Sequence, residues 1–323
     1  MTAGQSPLPL LVILGPTAVG KSAVALEVAK RLHGEIISAD SAQVYRGMDI
    51  GTAKPTPEER QAVPHHLIDL RDPDEEFSVA EFQELVWRAV QDIHARGCLP
   101  MLVGGTALYI KAVVDDYVFV PAPRDDVFRE AMWAIAREKG SEILHARLAE
   151  VDPVRAAQVH PRDAKRIIRA LEVHHVTGRP FSDVAEHKEP GQRYDSLMIG
   201  IWRERAEVYR RIDARVDQQI AAGLVSEVRR LLDAGYRPEL PAMTALGYKE
   251  IAMALAGRIS MEETIRILKR NTRHFARRQL VWWRREPRIH WVTWPPGAPV
   301  TEMAAKVCEL AAGYWRIGEN TRP

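Results

Sequence analysis

Near its start the chain reads Leu10-Leu11-Val12-Ile13-Leu14-Gly15-Pro16-Thr17-Ala18-Val19-Gly20-Lys21-Ser22. The last eight residues fit the pattern G-x-x-x-x-G-K-S, whose glycines let backbone N–H groups face phosphates while the lysine neutralises their charge. Such a loop needs a buried strand before it and a helix after it, and the apolar run and a helix predicted over about 23–32 supply both. We therefore expect Gly15 to Ser22 to bind a polyphosphate of unspecified kind, with the Ser22 hydroxyl on Mg²⁺. A chance match is the alternative.

The composition is that of a globular protein. The 323 residues are 46% hydrophobic and 27% charged, which suits one main domain with an inserted one. Cys98 and Cys308 lie far apart, so we expect a reducing compartment and neither a disulfide framework nor a zinc finger. Residues 1–9 lack a basic segment followed by an apolar core, and no apolar run approaches roughly 18 residues. We expect no signal peptide, no membrane span and a cytoplasmic location.

Strand and helix patterns alternate along the first third of the chain. Apolar runs at 35–40, 66–70 and 100–103 predict strands, and Ser78 with Glu81 forms a capping box that opens a helix to about residue 95. This rhythm predicts the α/β class, a parallel sheet of the P-loop NTPase type flanked by helices. Because ligands of such sheets bind at the carboxyl ends of the strands, Gly15, Asp40 and the run 104–106 should meet in one crevice.

In the middle of the chain the alternation of strands and helices stops. From 124 to 195 the pattern is helical only, with prolines at 123, 153, 161 and 180 between the helices. We interpret 124–195 as an all-helical insertion, so that 1–123 and 196–323 form the P-loop α/β core with its C-terminal helices. That core resumes with a strand predicted at 196–201, one or two helices over 204–232, a helix over 261–285 and a last strand at 289–292.

Polar groups at two predicted strand ends are candidates for chemistry. Asp40 lies among small and polar residues and can accept a proton from a substrate held near the phosphates. Capping a turn and binding Mg²⁺ are the alternatives for Asp40. The run Gly104-Gly105-Thr106 follows a strand and opens a helix, so its N–H groups predict a second anion nest. Thr106 adds a hydroxyl to that nest, acts as a helix cap, or does both.

Positive charge is concentrated on two segments although the net charge is only +2. Eight Lys or Arg between Met261 and Arg285 oppose two Glu, and helical spacing gives this helix an inward stripe and a basic face near Trp282 and Trp283. Ser260 with Glu263 predicts a capping box at its start. Arginines beside aromatic rings suit RNA phosphates and bases, whereas a solvated charged face is the alternative. The inward stripe of this helix consists of Met261, Ile265, Leu268, Thr272, Phe275 and Gln279. Its basic face consists of Arg266, Arg270, Arg273, Arg277 and Arg284. The second basic segment lies in the helical insertion and consists of Arg162, Lys165, Arg166 and Arg169.

Two further patterns argue against other chemistries. The pairs His65-His66 and His174-His175 have no further ligand at metal-binding spacing, so we expect no metal site there. Asp40 and Asp69 are the candidates for the metal-holding aspartate of an NTPase, and neither has the expected setting at the end of a second apolar strand. The phosphate loop therefore comes without an obvious NTPase apparatus.

Several segments together resemble one protein family, the tRNA dimethylallyltransferases, also called tRNA isopentenyltransferases. The match covers nearly the whole chain, and the segment 37–55, ISADSAQVYRGMDIGTAKP, is far more specific than a phosphate loop. The zinc finger of some eukaryotic members is missing, so the resemblance is to the bacterial form. The other matching segments are 15–22 (GPTAVGKS), 64–69 (PHHLID), 103–109 (VGGTALY), 160–163 (HPRD) with 166–172, and 246–250 (LGYKE).

The resemblance implies an activity. Such an enzyme moves a dimethylallyl group from dimethylallyl diphosphate to the exocyclic N6 amine of the adenine immediately 3′ of the tRNA anticodon, and releases pyrophosphate. The loop 15–22 would hold the diphosphate leaving group with Mg²⁺ as cofactor, and Arg215 would be a further diphosphate ligand. Asp40 would be the general base, and Thr106 would contact the reacting oxygen and nitrogen.

The resemblance also implies contacts with tRNA and places the insertion against the anticodon stem. Phe128 stands where the family has an arginine, and Ser22 replaces the commoner threonine while keeping its hydroxyl. The implied tRNA-binding residues are Asp40, Ser41, Ala42, Gln43, Thr106, Phe128, Lys165, Arg166, Ile167, Ile168, Arg169, Thr244, Gly247, Tyr248, Lys249, Arg277, Arg278, Gln279, Trp282 and Arg284. We expect a monomer whose partners are tRNA and dimethylallyl diphosphate.

Three other functions stay open. An adenylate isopentenyltransferase would use the same donor with a free nucleotide and would leave the basic surfaces idle. A P-loop kinase would instead transfer a phosphoryl group from ATP. A non-catalytic tRNA-binding protein would have no use for the Asp40 segment or the phosphate loop.

Overall fold

A six-stranded parallel sheet is the centre of the structure, a computed structural model that describes residues 6–119, 123–184 and 193–315. In chain order its strands are β1 Leu8–Leu14, β2 Gly34–Ala39, β3 His65–His66, β4 Leu99–Gly104, β5 Tyr194–Trp202 and β6 Ile289–Thr293. Their order across the sheet is β3-β2-β4-β1-β5-β6, and every neighbouring pair is parallel. The predicted α/β class with a parallel sheet is confirmed.

Helices connect the strands. In chain order they are α1 Lys21–Leu32, α2 Pro57–Ala62, α3 Val79–Ala95, α4 Ala107–Val114, α5 Asp126–Lys139, α6 Ser141–Val151, α7 Pro153–Gln158, α8 Ala164–Thr177, α9 Phe181–Val184, α10 Arg205–Ala221, α11 Leu224–Asp233, α12 Tyr248–Leu255, α13 Met261–Trp283 and α14 Val300–Trp315. A short 3-10 turn, Ala242–Thr244, precedes α12.

The side chains of β1 alternate between the two faces of the sheet. Leu11 and Ile13 pack in one core cluster with residues of α1 and α14. Leu10 and Val12 pack in a second cluster with residues of α3 and α4 and with Trp283 of α13. Because both faces are covered, β1 reads as a continuous apolar run rather than an alternating one. The carboxyl end of this buried strand is where the phosphate loop begins.

The chain divides into two compact units. The larger unit is Met1–Asp116 with Gln192–Pro323 and contains the sheet, and the smaller unit is Tyr117–Gly191 and contains α5 to α9. Within the larger unit, Asp116 Oδ2 lies 3.1 Å from Arg193 Nε, so the chain leaves this unit and re-enters it at one place. Tyr194 and Asp195, predicted to end the insertion, belong to β5 instead.

The smaller unit has its own core, formed by apolar side chains of α6, α7 and α8. Glu172 of α8 is fully buried and joins this helix to α5. Glu172 accepts hydrogen bonds from Arg129 Nε at 2.7 Å, from Arg169 at 2.7 Å and from the backbone N–H of Asp125 at 2.9 Å. These bonds hold the pKa of Glu172 near 2 although burial alone would raise it.

The strand predicted at 66–70 is wrong beyond His66. Leu67 and Asp69 have φ of +63° and +58°, a left-handed conformation that no strand tolerates. The Asp69 carboxylate is instead held by Lys54 Nζ at 2.5 Å and Arg60 at 2.9 Å. A polar network overrides the β propensity of this short run.

Both predicted capping serines are confirmed, but neither belongs to a complete capping box. Ser78 and Ser260 accept the N–H of Glu81 and Glu263, each at 3.1 Å. The two glutamate side chains pair with arginines instead, Glu81 with Arg71 and Glu263 with Arg266. Of the two possibilities for 204–232, the structure has two helices, α10 and α11.

Candidate active site

A cavity of about 380 Å³ opens at the carboxyl ends of the strands, within the larger unit. Thr17, Asp40 and Thr106, which follow β1, β2 and β4, all line it, together with Arg215 from α10. The remaining wall includes apolar side chains from α10, α13 and the segment before α12, namely Ile212, Val216, Leu246, Leu268 and Phe275. The structure therefore brings the three strand ends together, beside a charged group and an apolar wall.

Asp40 and Thr106 are held in fixed positions by backbone contacts. Asp40 Oδ1 accepts the N–H of Ala42 at 2.9 Å, which closes a tight turn after β2. Thr106 occupies the N-cap position of α4, but its hydroxyl accepts the N–H of Ser41 at 3.2 Å rather than capping that helix. A Cβ on Gly104 would overlap the Ala39 carbonyl, so only glycine allows the two strand ends to approach this closely.

The phosphate loop has the backbone that its glycines allow. Gly15 and Gly20 have φ of +145° and +102°, and a Cβ on Gly15 would lie 2.7 Å from the Ile201 carbonyl oxygen. α1 begins at Lys21, so the loop amides and the helix N-terminus face the same region. Lys21 Nζ donates to the Pro16 carbonyl at 2.8 Å, which folds the lysine over its own loop.

The cations of the site are desolvated and lie close enough to influence one another. Desolvation and, to a smaller extent, the charge of Arg215 lower the pKa of Lys21 to about 8, and Asp40 opposes both. Desolvation also lowers the pKa of Arg215, and Arg211 adds to that effect while Asp40 again opposes it. A negative charge nearby would stabilise the charged forms of both Lys21 and Arg215. This region is therefore suited to bind an anion.

Ser22, the predicted Mg²⁺ ligand, lies at a separate small cavity of about 60 Å³ that Gln43 and Glu59 also line. These groups offer hard oxygen donors of the kind that Mg²⁺ prefers. Within 6–119, 123–184 and 193–315, no group of three His, Cys, Asp or Glu stands close enough to hold a metal ion. Mg²⁺ commonly takes one or two protein oxygens and completes its shell with water and substrate phosphates, so the donor set fits an ion that arrives with a diphosphate.

A buried carboxylate anchors the loop that forms part of the cavity wall. Glu227 of α11 accepts the backbone N–H groups of Asp49, Ile50 and Gly51 at 3.0, 2.8 and 3.2 Å. Gln219 of α10 donates to the carbonyls of the same loop. Sequence reasoning missed both residues because they lie in an ordinary amphipathic pattern with no motif around them.

Tyr248 and Gly247, predicted to bind tRNA, are buried. The Tyr248 side chain is 0% exposed and its hydroxyl donates to Glu227 Oε1 at 2.6 Å, so the tyrosine stabilises the anchored loop and does not face solvent. Burial strongly raises the pKa of Tyr248, and Glu227 adds to the rise. Thr244 and Lys249 from the same segment are exposed.

Gln43, another predicted tRNA ligand, also makes internal bonds. Its amide donates to the carbonyls of Thr52 and Ala53, each at 3.2 Å, and accepts the Ser38 hydroxyl at 2.8 Å. Ser41 beside it is exposed.

The inward stripe predicted for α13 has the correct direction, and Leu268 and Gln279 are buried as predicted, but the other buried residues differ from the predicted ones. Its buried residues are Thr264, Leu268, Ala276, Gln279 and Trp283. Thr272 and Phe275 line the 380 Å³ cavity instead, and Trp283 lies in the sheet core rather than beside the basic face. Gln279, predicted to bind tRNA, is 8% exposed and bonds two loops of the site.

The basic face of α13 is on the surface as predicted. Arg277, Arg278 and Trp282, with His274, Val281 and Arg285, line an open groove of about 540 Å³. Arg284 lies over the Trp202 ring, 5.6 Å from its centroid. Exposed guanidinium groups around an exposed indole are what base stacking and phosphate binding require.

The predicted RNA ligands of the smaller unit separate into surface and core. Lys165 and Arg166 are exposed, and Lys165 lines a shallow groove with Trp133, His160 and Arg162. Ile167 and Ile168 are buried in the core of that unit, so their side chains do not face solvent, and their contact with RNA stays a prediction. Arg169 bonds Glu172, and the Phe128 ring stacks on His175 at 4.4 Å between centroids.

As for membranes, every helix in the part of the chain that the structure describes is too short or too polar to span one.

Comparison with known proteins connects this geometry to a family. The family model described as "IPP transferase" matches residues 43–286. A "tRNA dimethylallyltransferase" of Symbiobacterium thermophilum is 55% identical over 287 residues, 88% of this chain and 89% of the relative. A protein of the same name from Geobacillus kaustophilus is 48% identical over 309 residues, 96% of this chain and 98% of the relative. The solved structure of the full-length tRNA isopentenylpyrophosphate transferase from Bacillus halodurans is similar with a TM-score of 0.69 at 42% identity, over 96% of this chain and 98% of that one. The chain therefore belongs to the IPP transferase family.

Proposed function

We propose that this protein transfers a dimethylallyl group from dimethylallyl diphosphate to the N6 amine of the adenine immediately 3′ of the tRNA anticodon. Pyrophosphate is the second product. The observation that carries the proposal is the composition of the 380 Å³ cavity, where the Asp40 carboxylate and the desolvated Arg215 meet an apolar wall, while Lys21 of the phosphate loop lies close enough to be influenced by both charges. A prenyl diphosphate matches this cavity, because its diphosphate is anionic and its prenyl group is apolar. The names of the relatives support the same activity.

The donor diphosphate binds at the phosphate loop. Backbone N–H groups of 15–22, Lys21 and Arg215 bind its oxygens and stabilise the negative charge that develops as the allylic C–O bond breaks. The five-carbon group lies against apolar residues such as Ile212, Val216 and Phe275. This wall excludes water from the reacting carbon, which favours transfer to an amine over hydrolysis.

Asp40 is the proposed general base. As the bond from N6 to the allylic carbon forms, the proton leaving N6 passes to Asp40 and the electron pair of the C–O bond leaves with pyrophosphate. Oδ1 is committed to the Ala42 N–H, which orients the carboxylate and directs Oδ2 to the substrate amine. Thr106, fixed through Ser41, contacts the reacting oxygen and nitrogen.

Ser22 would hold Mg²⁺ together with diphosphate oxygens. When bound, the ion supplies further stabilisation of charge on the leaving pyrophosphate.

tRNA contacts come from the exposed basic groups. Arg277, Arg278, Trp282 and Arg284 of α13 bind the anticodon loop, and the target adenine leaves its stack to reach Asp40. Lys165 and Arg166 in the smaller unit bind the anticodon stem through its phosphates. In this proposal the enzyme is a cytoplasmic monomer.

A direct assay tests the proposal. The protein is incubated with Mg²⁺ and dimethylallyl diphosphate and either unmodified tRNA or AMP, and the digested nucleosides are weighed by mass spectrometry. A dimethylallyl mass gain on tRNA adenosine alone is the expected result. Gain on AMP would favour a free-nucleotide enzyme, and no gain on either would remove the prenyl-transfer proposal.

A further inference from the structure

Gln279 of α13 joins two separate loops of the site through one side-chain amide. Its Oε1 accepts the backbone N–H of Thr17 at 2.8 Å, and its Nε2 donates to the Gly105 carbonyl at 3.0 Å. Thr17 belongs to the phosphate loop, and Gly105 immediately precedes Thr106. Gln279 is 8% exposed, and it also lines the 380 Å³ cavity.

The fit around this amide is tight. A Cβ on Gly105 would overlap Gln279 Nε2 and would lie 3.3 Å from the Gly15 carbonyl oxygen. The two loops therefore approach each other at the point where Gln279 lies. Because the Gln279 amide presents an acceptor to one loop and a donor to the other, it fixes both the distance between the two loops and their alignment.

We propose that Gln279 is a positioning residue that holds the phosphate loop against the Thr106 loop and so sets the distance between the diphosphate donor and the acceptor amine. This inference rests on the proposed function, in which the phosphate loop binds the donor diphosphate and Thr106 contacts the reacting oxygen and nitrogen. It replaces the predicted contact of Gln279 with tRNA. Reacting atoms must be held within a few tenths of an ångström, and a displacement of about 1 Å costs roughly a hundredfold in rate.

The decisive variant is Gln279→Glu. One carboxylate oxygen still accepts the Thr17 N–H, but the other meets the Gly105 carbonyl, so two acceptors repel each other. Protonation of the introduced carboxyl restores an O–H donor toward Gly105. The ratio of variant to wild-type kcat should therefore rise as the pH falls, which a merely destabilised fold would not produce.

Gln83 provides a matched control. Like Gln279 it is 8% exposed, and its Nε2 donates to the Ala112 carbonyl at 2.8 Å and to Asp116 Oδ1 at 3.1 Å. Gln83→Glu also brings a carboxylate oxygen against acceptors, here the Ala112 carbonyl and the Asp116 carboxylate, at a place that does not line the cavity. It should lower thermal stability while kcat stays at the wild-type level in the folded protein.

The experiment measures kcat and the KM for both substrates at about pH 8 and about pH 5.5, under conditions where circular dichroism shows each variant folded. For Gln279→Glu we expect kcat to fall about tenfold to a hundredfold at the higher pH, with tRNA affinity nearly unchanged, and the ratio to recover at the lower pH. A kcat ratio that is independent of pH, or equal to that of Gln83→Glu, would overturn the proposal.

Gln279→Met covers the case in which the charged variant does not fold. Methionine keeps the length of the side chain and removes both hydrogen bonds, so kcat should fall at every pH without recovery. Wild-type kcat in this variant would overturn the inference. Wild-type protein that shows no transfer would instead remove the proposed function, so the two failures are distinguishable.

Discussion

Tyr248→Phe tests whether a buried hydrogen bond, rather than contact with RNA, explains the tyrosine of the LGYKE segment. The change removes one hydroxyl and keeps the ring that packs in the core beside Leu224, Val228 and Ile251. A hydrogen bond to a charged group contributes about 1.5–3 kcal/mol. Glu227 keeps its three backbone N–H donors, so no carboxylate is left unpaired. We therefore expect a loss of about 2 kcal/mol in the free energy of unfolding.

Urea denaturation followed by tryptophan fluorescence measures this loss. Trp133 is the single tryptophan between residues 117 and 191, so the signal reports mainly on the larger unit. With a slope of about 3 kcal/mol/M, the midpoint should fall by roughly 0.7 M. Filter binding should show tRNA affinity unchanged, because the hydroxyl does not reach the surface.

Tyr194→Phe is the control for removing a phenolic hydroxyl. The Tyr194 hydroxyl is also buried, but it has no hydrogen-bond partner in the described part of the chain. Its removal should cost nothing or slightly stabilise the protein. If Tyr248→Phe matched this control in stability and weakened tRNA binding about tenfold, the hydroxyl would contact RNA and the stabilising role given to its bond with Glu227 would be refuted.

Further predictions concern the cations, the base and the smaller unit. Desolvation holds the pKa of Lys21 near 8, so Lys21 is charged below that pH and loses its charge above it. Pyrophosphate affinity measured by calorimetry should therefore fall between about pH 7 and about pH 9, and Lys21→Arg should abolish that fall. Asp40→Asn should lower kcat by about a hundredfold or more with tRNA affinity retained; full turnover would exclude Asp40 as the base. Glu172→Gln should destabilise the smaller unit by about 3 kcal/mol, seen as faster hydrogen exchange in α5 and α8. Because the folded pKa of Glu172 is near 2, its contribution is fully present above about pH 4.5 and is lost as the pH falls toward 2; if exchange stayed constant over that range, the ion pairs would not matter.

The sequence predicted the architecture well because its main determinants are local. A buried strand, a glycine-rich turn and a helix follow one another within Leu8–Leu32, and capping serines mark the starts of α3 and α13. Periodicity and turn chemistry act over a few residues and need no partner elsewhere in the chain. The sheet, its flanking helices and the meeting of Gly15, Asp40 and Thr106 followed from these signals.

The errors arose where distant parts of the chain decide the outcome. The run at 66–70 has β propensity, but Lys54 and Arg60 bind Asp69 and turn the backbone. Only two of the six residues predicted for the inward stripe of α13 are fully buried, because this side of α13 faces the cavity as well as the sheet core. Tyr248 lies in a motif associated with RNA, yet its hydroxyl is bound by Glu227, twenty-one residues earlier in the chain. The periodicity of a single helix does not indicate a hydrogen-bond partner that lies in another helix.

The position of β5 in the sheet has a consequence for biosynthesis. β5 pairs with β1, but the ribosome makes it only after the whole of Tyr117–Gly191. For on the order of ten seconds of synthesis, the most apolar strand of the protein therefore has one edge without its neighbour. Such an edge is a template for aggregation. A nascent chain stalled within the smaller unit should be a client for chaperones, and the speed of translation across this segment becomes a determinant of soluble yield.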